Sequence, residues 1–259
     1  ACARRRRWYN GRVSQSTDEK GFGAQQSGKR TLVEVGILVL LAIALFFVGR
    51  SVIGCAAEGA AMQLPESIDA QIGAAAAAAV RAQHVGSSAS VEDQSRVEQI
   101  FRALESQLEP EERKVLGSAG VTALVDKTPN AFALPGGQVF VLTGLLDRVG
   151  PGPDGDAQLR GVLAHELGHA VRRHGVRLLA RSAAYGIALA ILFGETDKMT
   201  GVLVSGAARL EGLSNSRDME TEADEFGVAL LRRGGFDSEG LAKFLESHET
   251  QVAHESYVG

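Results

Sequence analysis

Cysteine is scarce. The 259 residues contain only Cys2 and Cys55, too few for a disulfide scaffold and without the CxxC spacing of a zinc ribbon or redox pair. No repeat of fixed period is visible, which argues against solenoids and propellers. A second long apolar run is also missing. Ala183 to Gly194 spans twelve residues, too short to cross a bilayer, so a multi-span membrane protein is not expected. No aromatic-interleaved basic surface follows Arg4 to Arg7, and a nucleic-acid partner is therefore not expected. What remains is ordinary globular usage, 45% hydrophobic and 22% charged, enough to bury the core of one large domain with an appendage.

The formal charge of −4 is unevenly spread. Residues 1–31 carry eight Arg and Lys against Asp18 and Glu19, a net of +6, which leaves −10 for residues 32–259. Directly after this basic arm comes LVEVGILVLLAIALFFVG, Leu32 to Gly49, whose one charge is Glu34. Such a run targets a membrane. Its strictly apolar part, Val35 to Val48, falls short of the roughly 20 residues an upright helix needs, a deficit that tilt or snorkelling of Arg50 can fill. The segment 32–54 is therefore read as a single transmembrane anchor in contact with the lipid bilayer. A cleaved signal and a lipoprotein lipidated at Cys55 remain as alternatives. In the spanning reading the basic arm stays in the cytoplasm and the rest lies outside, facing a bacterial periplasm; a mitochondrial inner membrane is the eukaryotic equivalent.

Residues 55–90, with six consecutive alanines from Ala74 to Ala79, read as an Ala/Ser/Gly-rich linker with some helix. Helical spacing of Val97, Ile100, Phe101, Leu104 and Leu108 marks the start of a folded domain, residues 91–259. Short strand-like runs follow at Val121 to Val125 and Gln138 to Leu142, with a Pro135-Gly136-Gly137 break before the second. Beyond Gly155 the chain reads as mainly helical.

The chemistry sits in VLAHELGHAVRRH, which holds His165, Glu166 and His169 as H-E-x-x-H. Composition alone predicts roughly 0.01 such motifs in the chain. On a helix the two histidines lie about 40° apart round the axis, so both imidazoles can reach one tetrahedral ion. Glu166, about 100° from His165, is placed to hold and deprotonate a water there rather than to be a ligand. A metzincin would need a third histidine six residues after His169, but position 175 is Gly. His174, about 140° further round a continuous helix, is expected to face away.

A carboxylate from a later helix is the other source of a third ligand, and SRDMETEADEFG, Ser216 to Gly227, offers five acids. Asp218, Glu222 and Glu225 fall on one charged face with Arg232 and Arg233, whereas Glu220 and Asp224 share a face with Ala223, Gly227 and Leu231. The small residues allow close helix approach, so Glu220 and Asp224 are expected to be buried and paired with a cation. Glu220 is the expected third ligand, and Asp224 the acceptor for the outer N–H of a ligand histidine.

NAFALPGGQVFVLTGLL (Asn130 to Leu146), HELGHAVRRH and SRDMETEAD together resemble the zinc endopeptidase family that includes HtpX, BepA and the CAAX prenyl endopeptidases, over roughly residues 95–245. One N-terminal membrane segment points to the BepA-like branch. The resemblance implies an α+β, mainly helical zincin-like domain with a small sheet, one Zn²⁺ per chain, and Glu220 as third ligand. It also implies that the segment around Asn130 to Val141 supplies an edge strand for extended substrate, through Asn130, Ala131, Phe132 and Ala133, with Gly136 and Gly137 keeping the backbone accessible. An edge strand can bind peptides through main-chain hydrogen bonds; an ordinary hairpin turn is the other reading of the same residues. Arg217 is a candidate to fix Glu220 or to bind a substrate carbonyl, the alternative being a salt bridge to Asp218 or Glu222. The family's later His-Pro motif does not occur up to Gly259; His248 and His254 could replace it but read as surface histidines. The expected function is a membrane-anchored zinc metalloendopeptidase acting on polypeptides, misfolded or membrane-associated ones in particular. A zinc-stabilised peptide-binding, chaperone-like protein without catalysis is the alternative, and an inactive precursor with the linker or residues 183–206 in its cleft is a second.

Overall fold

An apolar segment in lipid must satisfy its own backbone hydrogen bonds, and a helix does so. The computed structural model describes residues 21–86, 88–193 and 216–244. Helix α1 (Gly21–Ala61) contains the apolar run. Its portion Leu32–Ala61, with a mean hydropathy of 2.8 over its most apolar window, is long and apolar enough to cross a membrane. The helix continues unbroken beyond Val48, so backbone length is available where the strictly apolar stretch is short. Residues 21–51 belong to one unit and the described residues from Val52 onward to a second. The basic arm up to residue 20 and the histidines His248 and His254 lie outside the described residues.

The second unit continues through α2 (Glu66–Gln83), α3 (Val91–Glu105), α4 (Pro110–Leu116), β1 (Gly120–Leu124), β2 (Ala131–Leu134), β3 (Gln138–Leu142), α5 (Thr143–Val149), α6 (Pro153–Val171), α7 (His174–Phe193) and α8 (Arg217–Arg233). The class is the expected one, mainly helical α+β with a small sheet. That sheet has the order β1-β3-β2, with β1 parallel and β2 antiparallel to β3. The turn Pro135–Gly137 joins β2 to β3, so the hairpin reading and the edge-strand reading describe the same segment.

Strand residues alternate between two faces. Ala123, Ala131, Val139 and Val141 join the main core with Phe101, Leu104, Leu159 and Leu163. Leu124, Leu134, Phe140 and Leu142 pack instead on Ala76, Ala77 and Val80 of α2. The alanine-rich stretch expected to be a linker with some helix thus contains a helix that packs on one face of the sheet. Its small side chains permit close approach, and a Cβ on Gly73 would overlap the carbonyl of Pro135. Gly136 and Gly137, expected to leave backbone open for substrate, pack against neighbouring elements: Gly137 is buried and Gly136 half-buried. Both have positive φ (75° and 78°), and a side chain there would meet Ala70 in one case and Leu116 and Ala119 in the other. Glycine is needed for the turn and for this packing.

The two sheet edges are treated differently. On β1 the side-chain amide of Gln94 accepts from Ala123 N–H at 2.8 Å and donates to Val121 O at 3.1 Å, and Ala89 N–H donates to Ala123 O. That edge is closed, which removes a site for unwanted strand pairing. On β2, Leu142 N–H donates to Asn130 O, and in an antiparallel ladder the bonded positions alternate. Phe132 and Leu134 therefore pair with β3, and the main-chain groups of Ala131 and Ala133 face outward.

Between α6 and α7 the chain turns at Arg173, a non-glycine residue with φ 57°. Its guanidinium is held by Asp69 of α2 at 3.1 and 2.5 Å and donates to Leu64 O at 3.0 Å. Asp69 is 1% exposed and Arg173 6%. Removing one partner of such a pair strands a buried charge, so Asp69→Ala is expected to lower unfolding free energy by about 3–5 kcal/mol. Denaturant titration of the full chain checks this, and adding Arg173→Met to Asp69→Ala is expected to restore part of the loss.

Candidate functional site

Two helices build the site because they cross closely. A Cβ at Gly168 of α6 would come within 2.8 Å of Ala223 O on α8, and one at Gly227 of α8 within 3.1 Å of His165 N. These small residues bring α8 against the H-E-x-x-H helix. The helix α8 starts at the N-cap Ser216, whose side chain accepts from Met219 N–H, and it buries Met219, Ala223, Phe226, Leu230 and Leu231.

His165, His169 and Glu220 each offer a donor atom, and all these atoms lie within 4.8 Å of one another. The two Nε2 atoms are 2.9 Å apart, and Glu220 Oε2 is 3.4 Å from His165 Nε2 and 3.7 Å from His169 Nε2. Donors about 2.0–2.1 Å from one tetrahedral ion sit about 3.3–3.4 Å apart, so the set has the right size. Two imidazole nitrogens facing each other at 2.9 Å also need a proton or a cation between them. The donors therefore fit a metal ion.

Electrostatics agree. Burial alone would lower the His165 pKa, but Glu220, Glu166 and Asp224 outweigh it and hold the imidazole at about 9, so this point of the protein favours positive charge. Asp224 Oδ1 lies 2.8 Å from His165 Nδ1. Burial raises the Glu166 pKa, opposed by His169, His165 and the N–H of Ala133, which donates to Glu166 Oε2 at 2.9 Å. The catalytic-base candidate is thereby fastened to the open edge of β2.

Glu220 and Asp224 do share the face of small residues, but they are not deeply buried: their side chains are 46% and 43% exposed. Ala223 and Gly227 make the contact, and the acids stand at the rim of the cleft. Arg217 is exposed at the first position of α8. Phe132 stacks on Phe140 with ring centroids 5.4 Å apart, directed to the α2 side of the sheet, so only its backbone neighbours reach the site. A cleft of about 250 Å³ lies beside the donors, with Asn130 and Ala131 on one wall and Val162 and Phe244 supplying apolar surface.

Sequence reasoning missed His174 and Glu222. His174 was expected to face away on a continuous helix, but α6 ends at Val171 and α7 starts at His174. The intervening turn places His174 Nδ1 2.8 Å from His169 Nδ1. Burial lowers its pKa to about 4. Glu222, expected on a solvated face, lies 3.1 Å from His174 Nε2 and accepts from Arg177 at 2.7 Å, which keeps its pKa low.

An H-E-x-x-H helix whose pair of imidazoles meets a carboxylate from a later helix defines the gluzincin arrangement of metallopeptidases. Residues 92–257 match Peptidase family M48, and the chain belongs to that family. It is 34% identical over 121 residues to the mitochondrial metalloendopeptidase OMA1 of Saccharomyces cerevisiae, covering 46% of this chain and 33% of that protein. It is 34% identical over 126 residues to the metalloprotease YcaL of Escherichia coli, 46% of each. The beta-barrel assembly-enhancing protease of Escherichia coli is 34% identical over 137 residues, 49% of this chain and 27% of that protein. The match spans less than half the length of each relative, and these names agree with the expected branch.

Asp224→Asn should weaken metal binding about 10–100-fold, whereas Glu220→Ala should lower it further. Equilibrium competition with a chelator on the full chain measures both.

Proposed function

We propose that the chain is a membrane-anchored zinc endopeptidase that hydrolyses polypeptides outside the cytoplasm. The observation carrying this reading is the convergence of His165, His169 and Glu220 beside a glutamate that is itself bonded to an edge strand. Two imidazoles and a carboxylate with room for one further position suit catalytic zinc better than magnesium or calcium, which prefer oxygen donors. When bound, zinc supplies Lewis acidity, lowering the pKa of water and polarising the scissile carbonyl.

Glu166 does the proton work. Ala133 N–H fixes Oε2, and burial lifts the carboxyl pKa towards the range where a base both accepts and returns a proton efficiently. The glutamate takes a proton from the attacking water and delivers it to the leaving nitrogen as the peptide bond breaks. The outward main-chain groups of Ala131, with Asn130 at the mouth, are suited to hold an extended substrate by backbone hydrogen bonds. Recognition of that kind reads little side-chain identity and requires an unfolded segment, which supports misfolded or membrane-associated polypeptides as the substrate class. The apolar wall of Val162 and Phe244 suits an apolar side chain next to the cleaved bond.

The helix Leu32–Ala61 supports anchoring. The excess of Arg and Lys before it supports a cytoplasmic N-terminus with the catalytic unit on the opposite side.

Glu166→Gln is expected to retain zinc at parental stoichiometry while cleavage of an unfolded protein falls by at least about 10²–10⁴-fold. Metal analysis beside a turnover assay on the full chain in detergent tests this. Parental activity in the variant would remove Glu166 from the mechanism.

A further inference from the structure

Resting on the metal reading above, we propose that His174, Glu222 and Arg177 form a hydrogen-bond relay of fixed direction that sets the tautomer of the ligand His169. The distances run without a gap: His169 Nδ1 to His174 Nδ1 is 2.8 Å, His174 Nε2 to Glu222 Oε2 is 3.1 Å, and Arg177 donates to the same oxygen at 2.7 Å.

Direction follows from the chemistry of the end groups. Arg177 has donors only, so the carboxylate it holds acts as the acceptor for His174 as well. His174 Nε2 therefore carries its proton towards Glu222, and Nδ1 presents a lone pair to His169. The proton between the two Nδ1 atoms then belongs to His169. With Nδ1 protonated, its Nε2 is a lone pair aimed at His165 and Glu220, the form a metal needs. The opposite orientation would put a proton on His169 Nε2 at the donor cluster.

The relay is anchored beyond the site. Arg177 also donates to Glu58 at 3.0 and 3.2 Å, and Arg181 pairs with the same carboxylate. Glu58 belongs to the last turns of α1, just after the apolar run. Arg177 is thus held between Glu58 and Glu222 rather than free to swing away. The ring planes of His169 and His174 cross at 72° with centroids 4.9 Å apart, so the contact also restrains ring rotation. His165 receives its own restraint from Asp224 on the opposite side, and each ligand histidine has a separate outer partner. In this scheme His174 and Glu222 are positioning residues. They touch neither substrate nor the reacting atoms.

The test is zinc affinity of the full chain in detergent, by competition with a chromophoric chelator, together with the absorption bands of the cobalt(II)-loaded protein. His174→Leu and Glu222→Leu, which remove the relay's donor and acceptor groups, are expected to raise the zinc dissociation constant about 10–100-fold and to shift the cobalt bands. His174→Gln, which can accept through Oε1 and donate through Nε2, is expected to recover most of the affinity. A merely structural role would lower thermal stability without moving the cobalt spectrum. Parental affinity and spectrum in Glu222→Leu, a change of similar size at a partly exposed position that removes the acceptor, would overturn the relay even if His174→Leu failed to fold. Absence of zinc binding by the parent chain would instead overturn the metal reading and the relay with it.

Discussion

Close contact between α6 and α8 is the constraint on which the site depends. A helix carrying H-E-x-x-H provides two imidazoles and a base, but no third donor at the right side of the ion. That donor must come from a helix whose axis runs near enough for a glutamate to reach, and Gly168 against Ala223 and Gly227 against the backbone of His165 allow it. Larger residues at those positions would separate the helices and carry Glu220 away from the histidines. The same contact brings Asp224, one turn after Glu220, to the outer nitrogen of His165.

Once the helices meet, the electrostatics need a cation. Three carboxylates surround His165 strongly enough to hold it protonated to about pH 9. A metal ion held by His165, His169 and Glu220 would replace that proton and satisfy the facing Nε2 atoms together. Around this centre the structure reinforces rather than relaxes: Glu166 is fixed by the β2 edge, and His169 by His174 with Glu222 behind it. The edge not used for the site, that of β1, is closed by Gln94, leaving β2 as the edge beside the chemistry.

The H-E-x-x-H motif was legible because both histidines and the glutamate sit on one helix, where spacing alone determines direction. Glu220 was legible through the small residues on its face, although the physical picture differed: Ala223 and Gly227 are buried and the acid stands at the cleft rim. The class and β3 were also readable, with β1 displaced by one residue. Helix α2 was read only as some helix within a linker, since a helix that buries alanines leaves no bulky periodicity to detect, and its role depends on the partner sheet. Strand β2, four residues in length, carries too little alternation to be told from the turn that follows it, and was expected only through the family resemblance. His174 was misplaced because one residue of positive φ, Arg173, ends the helix that a uniform 3.6-residue period would have continued. Its buried partner Asp69 is 104 residues away in sequence, beyond what local pattern can show.

The most direct test is anomalous diffraction at the zinc absorption edge from crystals of the zinc-loaded chain. The account predicts one peak per chain, bounded by Nε2 of His165, Nε2 of His169 and a carboxylate oxygen of Glu220, with His174 behind His169. A peak coordinated by Glu222 in place of Glu220, or one remote from the α6–α8 crossing, would contradict it.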